Sequence, residues 1–359
     1  MLAAMIRDEL MSMESASKVS PIGVLQWLRS RPGLEPLWRF PQNPSPGDWL
    51  FHATNWRGLM TPAIAAQLPW LYRWFDRYTQ LYFQLTGTEY LWGGKALFRA
   101  IATLSQRLHR YDYLTLQLGD YGVTLDPVDP RLFAVIRELT SPTSDVQVLA
   151  SLLAEGDTLI DVGANHGSFA IAASHLVGGG GCVVAIEPQP QLAEAVRRSL
   201  QANAASPYQV YATAVGDREG VIDFFRPQCT SGSAGLYANH SATHAYSTLT
   251  VPIKPIDQLL DWQKLPGKIL IKLDIEGSEY AFLKGATQLI QTRKPNLIVE
   301  VHPKTLAIAG QSDQDLMQLL QKLGYASYSE LSNVQVKLPL TQLAMNWQRN
   351  IIVWMPHAD

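Results

Sequence analysis

At 359 residues the chain is long enough for two domains, or for one large domain carrying an extension. A formal net charge of −2 argues against a protein that grips nucleic acid by neutralising many phosphates. Two cysteines, Cys182 and Cys229, are too few for a disulfide framework or a four-thiolate zinc site, and both read as free thiols of a reducing compartment.

In chain order, Met1 to Ser20 mixes Arg7, Asp8, Glu9 and Glu14 among apolar residues, which leaves no uninterrupted apolar core for a secretory signal. No stretch reaches the roughly 20 apolar residues that span a bilayer, so the expectation is a soluble cytoplasmic protein with no membrane span. From Pro21 to Arg110 the chain is punctuated by Pro, Gly and Trp, with helical runs at Thr61 to Phe83 and Lys95 to Leu108. Seven of the ten tryptophans precede residue 110, which predicts a separate aromatic core rather than a sugar-stacking platform. Tyr111 to Asp129 alternates around Gly119-Asp120 and Tyr121-Gly122 and reads as a β-hairpin. Pro130 to Leu153 then reads as helix, broken at Ser141-Pro142.

After Asp157 the pattern changes to short β-branched runs separated by amphipathic stretches. Strands are predicted at Thr158 to Val162, Cys182 to Ile186, Gln209 to Val215, Ile269 to Leu273 and Asn296 to Val301. Helices fall between them at Phe169 to Leu176, Gln191 to Ala202 and Tyr280 to Gln291. That order predicts an α/β fold, a Rossmann-like, mostly parallel sheet flanked by helices. Val334 to Leu338 and Asn350 to Trp354 would add an antiparallel edge. The division expected is a mainly helical, Trp-rich N-terminal region over 1–110, a hairpin and helical connector over 111–150, and the α/β domain over 151–359.

The strongest motif is Asp161-Val162-Gly163-Ala164-Asn165-His166-Gly167, between a predicted strand and a predicted helix. Glycines at such a crossover let the backbone turn sharply and approach a ligand, while the helix start offers unpaired amides. The G-x-G-x-x-G spacing of a dinucleotide site is missing. An acid leading into a short glycine loop suits a ligand with a cationic amino group and no pyrophosphate, namely S-adenosylmethionine. Glu187, 26 residues beyond Asp161 and at the end of the next strand, would accept hydrogen bonds from the ribose hydroxyls. Ala214, Val215 and Asp217 would border the adenine, although Asp217 also suits an ordinary turn. The expected cofactor residues are thus Asp161, Gly163, Ala164, Asn165, Gly167, Glu187, Ala214, Val215 and Asp217.

The segments DTLIDVGANHGSFA, AIEPQP, AVGDREG, IKLDIEGSEYAFLKGA and PNLIVEVHP, in that order, resemble the FkbM family of methyltransferases over about Leu149 to Pro303. The resemblance implies the class I methyltransferase sheet, S-adenosylmethionine as cofactor, and O-methylation of sugar or secondary-metabolite hydroxyls. His166 departs from the apolar residue often found in the family's loop and is expected to be a satisfied helix-start histidine. Residues 1–110 lie outside the resemblance.

Methyl transfer to an alcohol needs the acceptor oxygen aligned and its proton removed, so the catalytic candidates lie at the carboxyl ends of the strands. These are Asp274 and Glu276 after the fourth strand, and Glu300 and His302 at the fifth. Two routes fit them. In the favoured route Asp274 or His302 is the general base without a metal; in the other, Asp274, Glu276 and Glu300 hold a divalent ion such as Mg²⁺. Thr230 to His244, with Asn239, His240 and His244, would close over the acceptor or stand as a solvated loop. Pro21 to Arg110 is expected to cover the same face. The acceptor is expected to be a small molecule or glycan, and apolar sheet edges are compatible with a homodimer. The competing reading is a non-catalytic binding protein that uses the fold as scaffold.

Overall fold

The computed structural model describes residues 51–52, 61–87, 90–91, 94–203, 205–227, 230–237, 246–343 and 349–356. Two long helices come first, α1 (Trp70–Thr86) and α2 (Gly94–His109). The hairpin β1 (Leu114–Leu118) and β2 (Tyr121–Leu125) follows where alternation predicted it, turning at Gly119 and Asp120. Gly119 has φ +61°, a conformation that glycine adopts without steric cost. Helix α3 (Leu132–Thr140) ends before Pro142, which cannot continue it.

The α/β unit runs β3 (Thr158–Val162), α4 (Ser168–Val177), β4 (Cys182–Ile186), α5 (Pro190–Asn203) and β5 (Tyr208–Tyr211). A side sheet comprises β6 (Ala214–Val215), β7 (Gly220–Pro227) and β8 (Tyr246–Lys254), in the order β6-β8-β7. The main chain then returns through β9 (Ile269–Leu273), α6 (Glu279–Gly285), α7 (Thr287–Arg293), β10 (Asn296–Val301), α8 (Pro303–Ile308) and α9 (Asp313–Lys322). It ends in β11 (Ser327–Glu330), β12 (Leu338–Pro339) and β13 (Arg349–Trp354).

The eight-stranded sheet has the order β12-β11-β13-β10-β9-β3-β4-β5. Its five strands from β10 to β5 are parallel, and β13 lies antiparallel to β10. With the first strand β3 central and an antiparallel hairpin beyond the fifth, this is the class I methyltransferase sheet. The expected antiparallel side is present, with two corrections. Asn350 to Trp354 sits inside the sheet between β10 and β11, and Val334 to Leu338 supplies only Leu338 to β12. On that side of the sheet the strand missed is Ser327–Glu330, too short and polar to show an apolar period. The predicted strand Gln209 to Val215 also divides: its first half edges the main sheet, and Ala214-Val215 pairs with β8 in the side sheet.

Period-two alternation sends successive residues of each strand into opposite layers. Leu159, Val183, Ala185, Leu270 and Ile298 meet α4 and α5 on one face, where Phe75, Phe98, Leu116 and Phe133 continue the same apolar layer. Ile160, Val162, Val184, Ile271 and Val299 face α6, α7 and α9 on the other, against Phe282, Leu289 and Leu316. The hairpin is fastened to α5 by polar ties as well. The Thr124 N–H donates to Ser199 Oγ at 2.8 Å, and Asn203 brackets Gly122 at 3.0 and 2.8 Å. Among the described residues no helix is long and apolar enough to cross a membrane.

Candidate active site

The loop after β3 is shaped by its close approach to β9. The N–H groups of Gly163 and Ala164 both donate to the Ile186 carbonyl, at 2.9 and 3.1 Å, and the Asp274 N–H donates to the Val162 carbonyl at 3.2 Å. Gly163 has φ +75°, and a Cβ there would lie 1.9 Å from the Asp274 carbonyl oxygen. Only glycine fits. Gly167, at φ +83°, caps α4 beside the Val196 side chain. Between them Asn165 adopts φ +53°, and its backbone N–H donates to Glu187 Oε2 at 2.8 Å.

Glu187 stands at the end of β4 and is 3 % exposed. Its other oxygen, Oε1, accepts from the Gln189 backbone and side-chain nitrogens at 2.9 and 3.1 Å. Burial pushes this carboxyl up to about 7, against the pull of those N–H donors. A buried carboxylate already oriented by three N–H groups is suited to accept from a vicinal diol. Around it opens a cleft walled by Ile186, Ala214, Val215, Phe224 and Leu236. Its apolar walls suit a nucleoside-bearing ligand.

The cleft also carries an acidic group. Asp274, Glu276, Ser278 and Arg131 all line the cleft. Asp274 is half-buried, which opposes its charge, yet Lys272, a hydrogen bond with Glu300, and Arg131 hold it below the usual carboxyl range. Glu276 goes the other way, pushed up to about 8 by burial and then by Asp274 and Glu279. Asp274, Glu276 and Glu300 each present one carboxylate oxygen within 4.8 Å of the others. The nearest countercharge is Lys272, whose Nζ lies 3.2 Å from Asp274 Oδ2.

The structure gathers Gly163, Asn165, Glu187, Ala214, Val215, Asp274 and Glu276 around one cleft and leaves the other expected residues outside it. Asp161 alternates with Val162 along β3, so its side chain turns towards the α4 layer and meets Lys272 at 3.5 Å. Ala164 and Gly167 shape the loop from behind. Asp217 pairs with Lys284 at 2.9 Å. Glu300 reaches the carboxylate group without lining the cleft, and His302 Nδ1 caps α8 by accepting from the Thr305 N–H at 3.4 Å. His166 is fully buried, with Nδ1 donating to Asn165 Oδ1 at 2.6 Å, and burial lowers it to about 4. It therefore stays neutral at physiological pH.

Two contributors were missed by sequence reasoning. Lys272 carried a signal, being the one charge in the strand ILIKL, and Arg131 carried none. Ser231 belongs to the Thr230 to His244 segment expected to close over the acceptor, and the described part of that segment lines the cleft. Ser231 accepts from Asn165 Nδ2 at 2.9 Å, while its N–H donates to Asp129 at 3.2 Å, which seats the 230–237 segment over the cleft. Asn239, His240, His244 and Cys229 lie outside the described residues. Of the stretch from Pro21 to Arg110 expected to cover this face, residues 21–50, 53–60, 88–89 and 92–93 lie outside the described residues, and none of the described ones lines the cleft.

Glu279, on the first turn of α6, is 1 % exposed. Its Oε1 accepts from the Gly277 N–H at 3.2 Å, and burial pushes it up to about 7. Because the folded value is raised, its stabilisation is complete below the unfolded carboxyl value and is lost as pH rises towards 7. Removing the ionisation in Glu279→Gln should recover up to ~3 kcal/mol at pH 8 and little at pH 4. Denaturant unfolding of both proteins across that range checks this; parallel curves would refute it.

Residues 161–327 match the family described as the Methyltransferase FkbM domain. Over 191 residues the chain is 29% identical to Hexuronic acid methyltransferase AglP of Haloferax volcanii, covering 52% of this chain and 71% of that protein. Among solved structures, the methyltransferase FkbM of Methylobacillus flagellatus aligns at 18% identity and TM-score 0.33, over 63% of this chain and 54% of its own. A SAM-dependent methyltransferase from Aquifex aeolicus aligns at 14% identity and TM-score 0.33, over 60% and 90%. With its glycine loop, buried strand-end acid and strand order, the matched stretch 161–327 is similar to the FkbM methyltransferases, and the domain that contains it is an S-adenosylmethionine-dependent methyltransferase.

Proposed function

We propose that the protein is an O-methyltransferase acting on a hydroxyl of a sugar or glycan, with Asp274 as the proton acceptor. The observation that carries this is the contrast among the acids lining the cleft: Glu187 and Glu276 are pushed towards the neutral form, whereas Asp274 is held ionised. A base must be ionised before it can take a proton, and it must stand where the acceptor oxygen can reach it. The sugar preference is supported by the relative that is named a hexuronic acid methyltransferase.

S-adenosylmethionine, when bound, supplies an electrophilic methyl group on a positively charged sulfur. Gly163 and Asn165 would pass close beneath it, Glu187 would hold its ribose, and Ile186, Val215 and Phe224 would flank its adenine. The acidic group would favour its positive charge and orient the acceptor hydroxyl, and the apolar walls would exclude water. In the metal reading, a divalent ion would sit among Asp274, Glu276 and Glu300, a view supported by their oxygen spacing. The metal-free reading is favoured because Lys272 and Arg131 already supply countercharge to Asp274.

Transfer of a labelled methyl group to a panel of hexoses, uronic acids and secondary-metabolite alcohols tests the proposal. The expected product is an alkali-stable methyl ether of a sugar, formed equally well with EDTA present. An alkali-labile methyl ester would overturn the hydroxyl assignment, and loss of transfer with EDTA would favour the metal.

A further inference from the structure

Lys272 is 6 % exposed and lies in a strand that is otherwise apolar. It stands opposite Asp161 of β3 in the parallel register, so both side chains enter the same layer of the fold. Its Nζ lies 3.2 Å from the Gly163 carbonyl, 3.2 Å from Asp274 Oδ2 and 3.5 Å from Asp161 Oδ1. Two of the ammonium's three N–H donors are hydrogen-bonded, to the Gly163 carbonyl and Asp274 Oδ2, and Asp161 adds an ion pair. The Phe169 ring, 5.3 Å from Nζ, closes a further side. Asp161 has no hydrogen-bond partner within normal geometry.

We infer that Lys272 is a positioning residue for methyl transfer, a buried strut that ties the cofactor loop at Gly163 to the Asp274 carboxylate. This rests on Asp274 being the proton acceptor. The geometry goes beyond charge balance inside the fold. Neutralising Asp161 would require only one contact, yet the ammonium also binds a backbone carbonyl of the glycine loop and an acid beyond the end of its own strand. Asp274 follows β9 out of the sheet, and the contact to Lys272 restrains one of its oxygens while the residue still lines the cleft. The donor side and the acceptor side are therefore fixed to the same three-pronged group. Displacing a reacting group by about 1 Å costs on the order of a hundredfold in rate, so loss of the strut should be felt in turnover more than in binding.

Lys272→Met alone would strand Asp161 as an unpaired buried acid, so the informative pair is Asp161→Asn and the double variant Asp161→Asn/Lys272→Met. Both are measured for thermal stability, S-adenosylhomocysteine affinity, kcat, and KM for S-adenosylmethionine. The double variant is expected to show kcat 10–100-fold below Asp161→Asn, with affinity and KM within about threefold of it. A role confined to structure would lower stability and raise KM together and leave kcat alone. The inference is overturned if the two variants share one kcat, whether high or undetectable, or if KM rises in step with the loss. Asp274→Asn separates the two levels of the argument. Full turnover in that variant would sink the proton acceptor itself, whereas its loss beside an unaffected double variant would sink only the strut.

Discussion

Asp274→Asn is expected to lower kcat by roughly 10²–10⁴-fold while changing KM for S-adenosylmethionine little. The substitution keeps an oxygen for the Lys272 ammonium, now 3.2 Å from Oδ2, so the contact that restrains the residue has a counterpart in the variant. What disappears is the anion. An amide takes no proton in the accessible pH range, and the neighbouring acid of the cleft, Glu276, is mostly protonated at neutral pH because burial holds it near 8. It is therefore a weak substitute for a base that Lys272 and Arg131 keep ionised. Steady-state kinetics with the best acceptor from the panel reads the effect. A loss under about fivefold would remove Asp274 from the chemistry.

Gly163→Ala is expected to do its damage through the backbone. The added Cβ would fall 1.9 Å from the Asp274 carbonyl oxygen and 3.1 Å from Ile275 Cγ2, at a φ of +75° that alanine adopts only under strain. The first obstacle is main chain, which cannot swing aside as a side chain can. Either β3 and β9 part at their carboxyl ends, breaking the 3.2 Å bond from the Asp274 N–H to the Val162 carbonyl, or the loop flips. The cost should be about 3 kcal/mol or more in unfolding free energy, with cofactor binding lost. Gly167→Ala meets a milder obstacle, since a Cβ there approaches the Val196 side chain at 3.0 Å. It should cost less than Gly163→Ala. Urea denaturation of both variants gives the ranking, and the reverse order would show that loop strain at Gly163 is relieved elsewhere.

The parts of the site legible in the sequence are those that local chain geometry dictates. Gly163 stands at a strand-to-helix crossover, and Glu187 ends the next β-branched run, so the parallel topology alone brings them together. Asp161 shows the limit of that reasoning. Its position in the motif points to the cofactor, but alternation along β3 turns its carboxylate into the opposite layer, where Lys272 meets it. Arg131 was out of reach because it joins the cleft only through docking of the hairpin and α3, 27 residues upstream of Thr158 in β3, and no local period encodes that packing. The side sheet was visible and unread. Gly220–Pro227 and Tyr246–Lys254 alternate, but Asp223 and Pro252 interrupt the apolar pattern and the exposed Val221, at 73 %, disguises the inner face. His302 looked like a base by its place at a strand end. In the fold it serves the first turn of α8.

Calorimetric titration of the full chain with S-adenosylhomocysteine, alongside Glu187→Ala, tests whether the cleft lined by Gly163, Glu187 and Asp274 holds S-adenosylmethionine. Removing a buried carboxylate that would accept from two ribose hydroxyls should weaken binding by about 2–3 kcal/mol, some 30- to 150-fold. One binding site per chain is expected in the native protein, and this loss in a variant that unfolds with unchanged cooperativity. No binding to the well-folded native chain, or equal binding by Glu187→Ala, would contradict it.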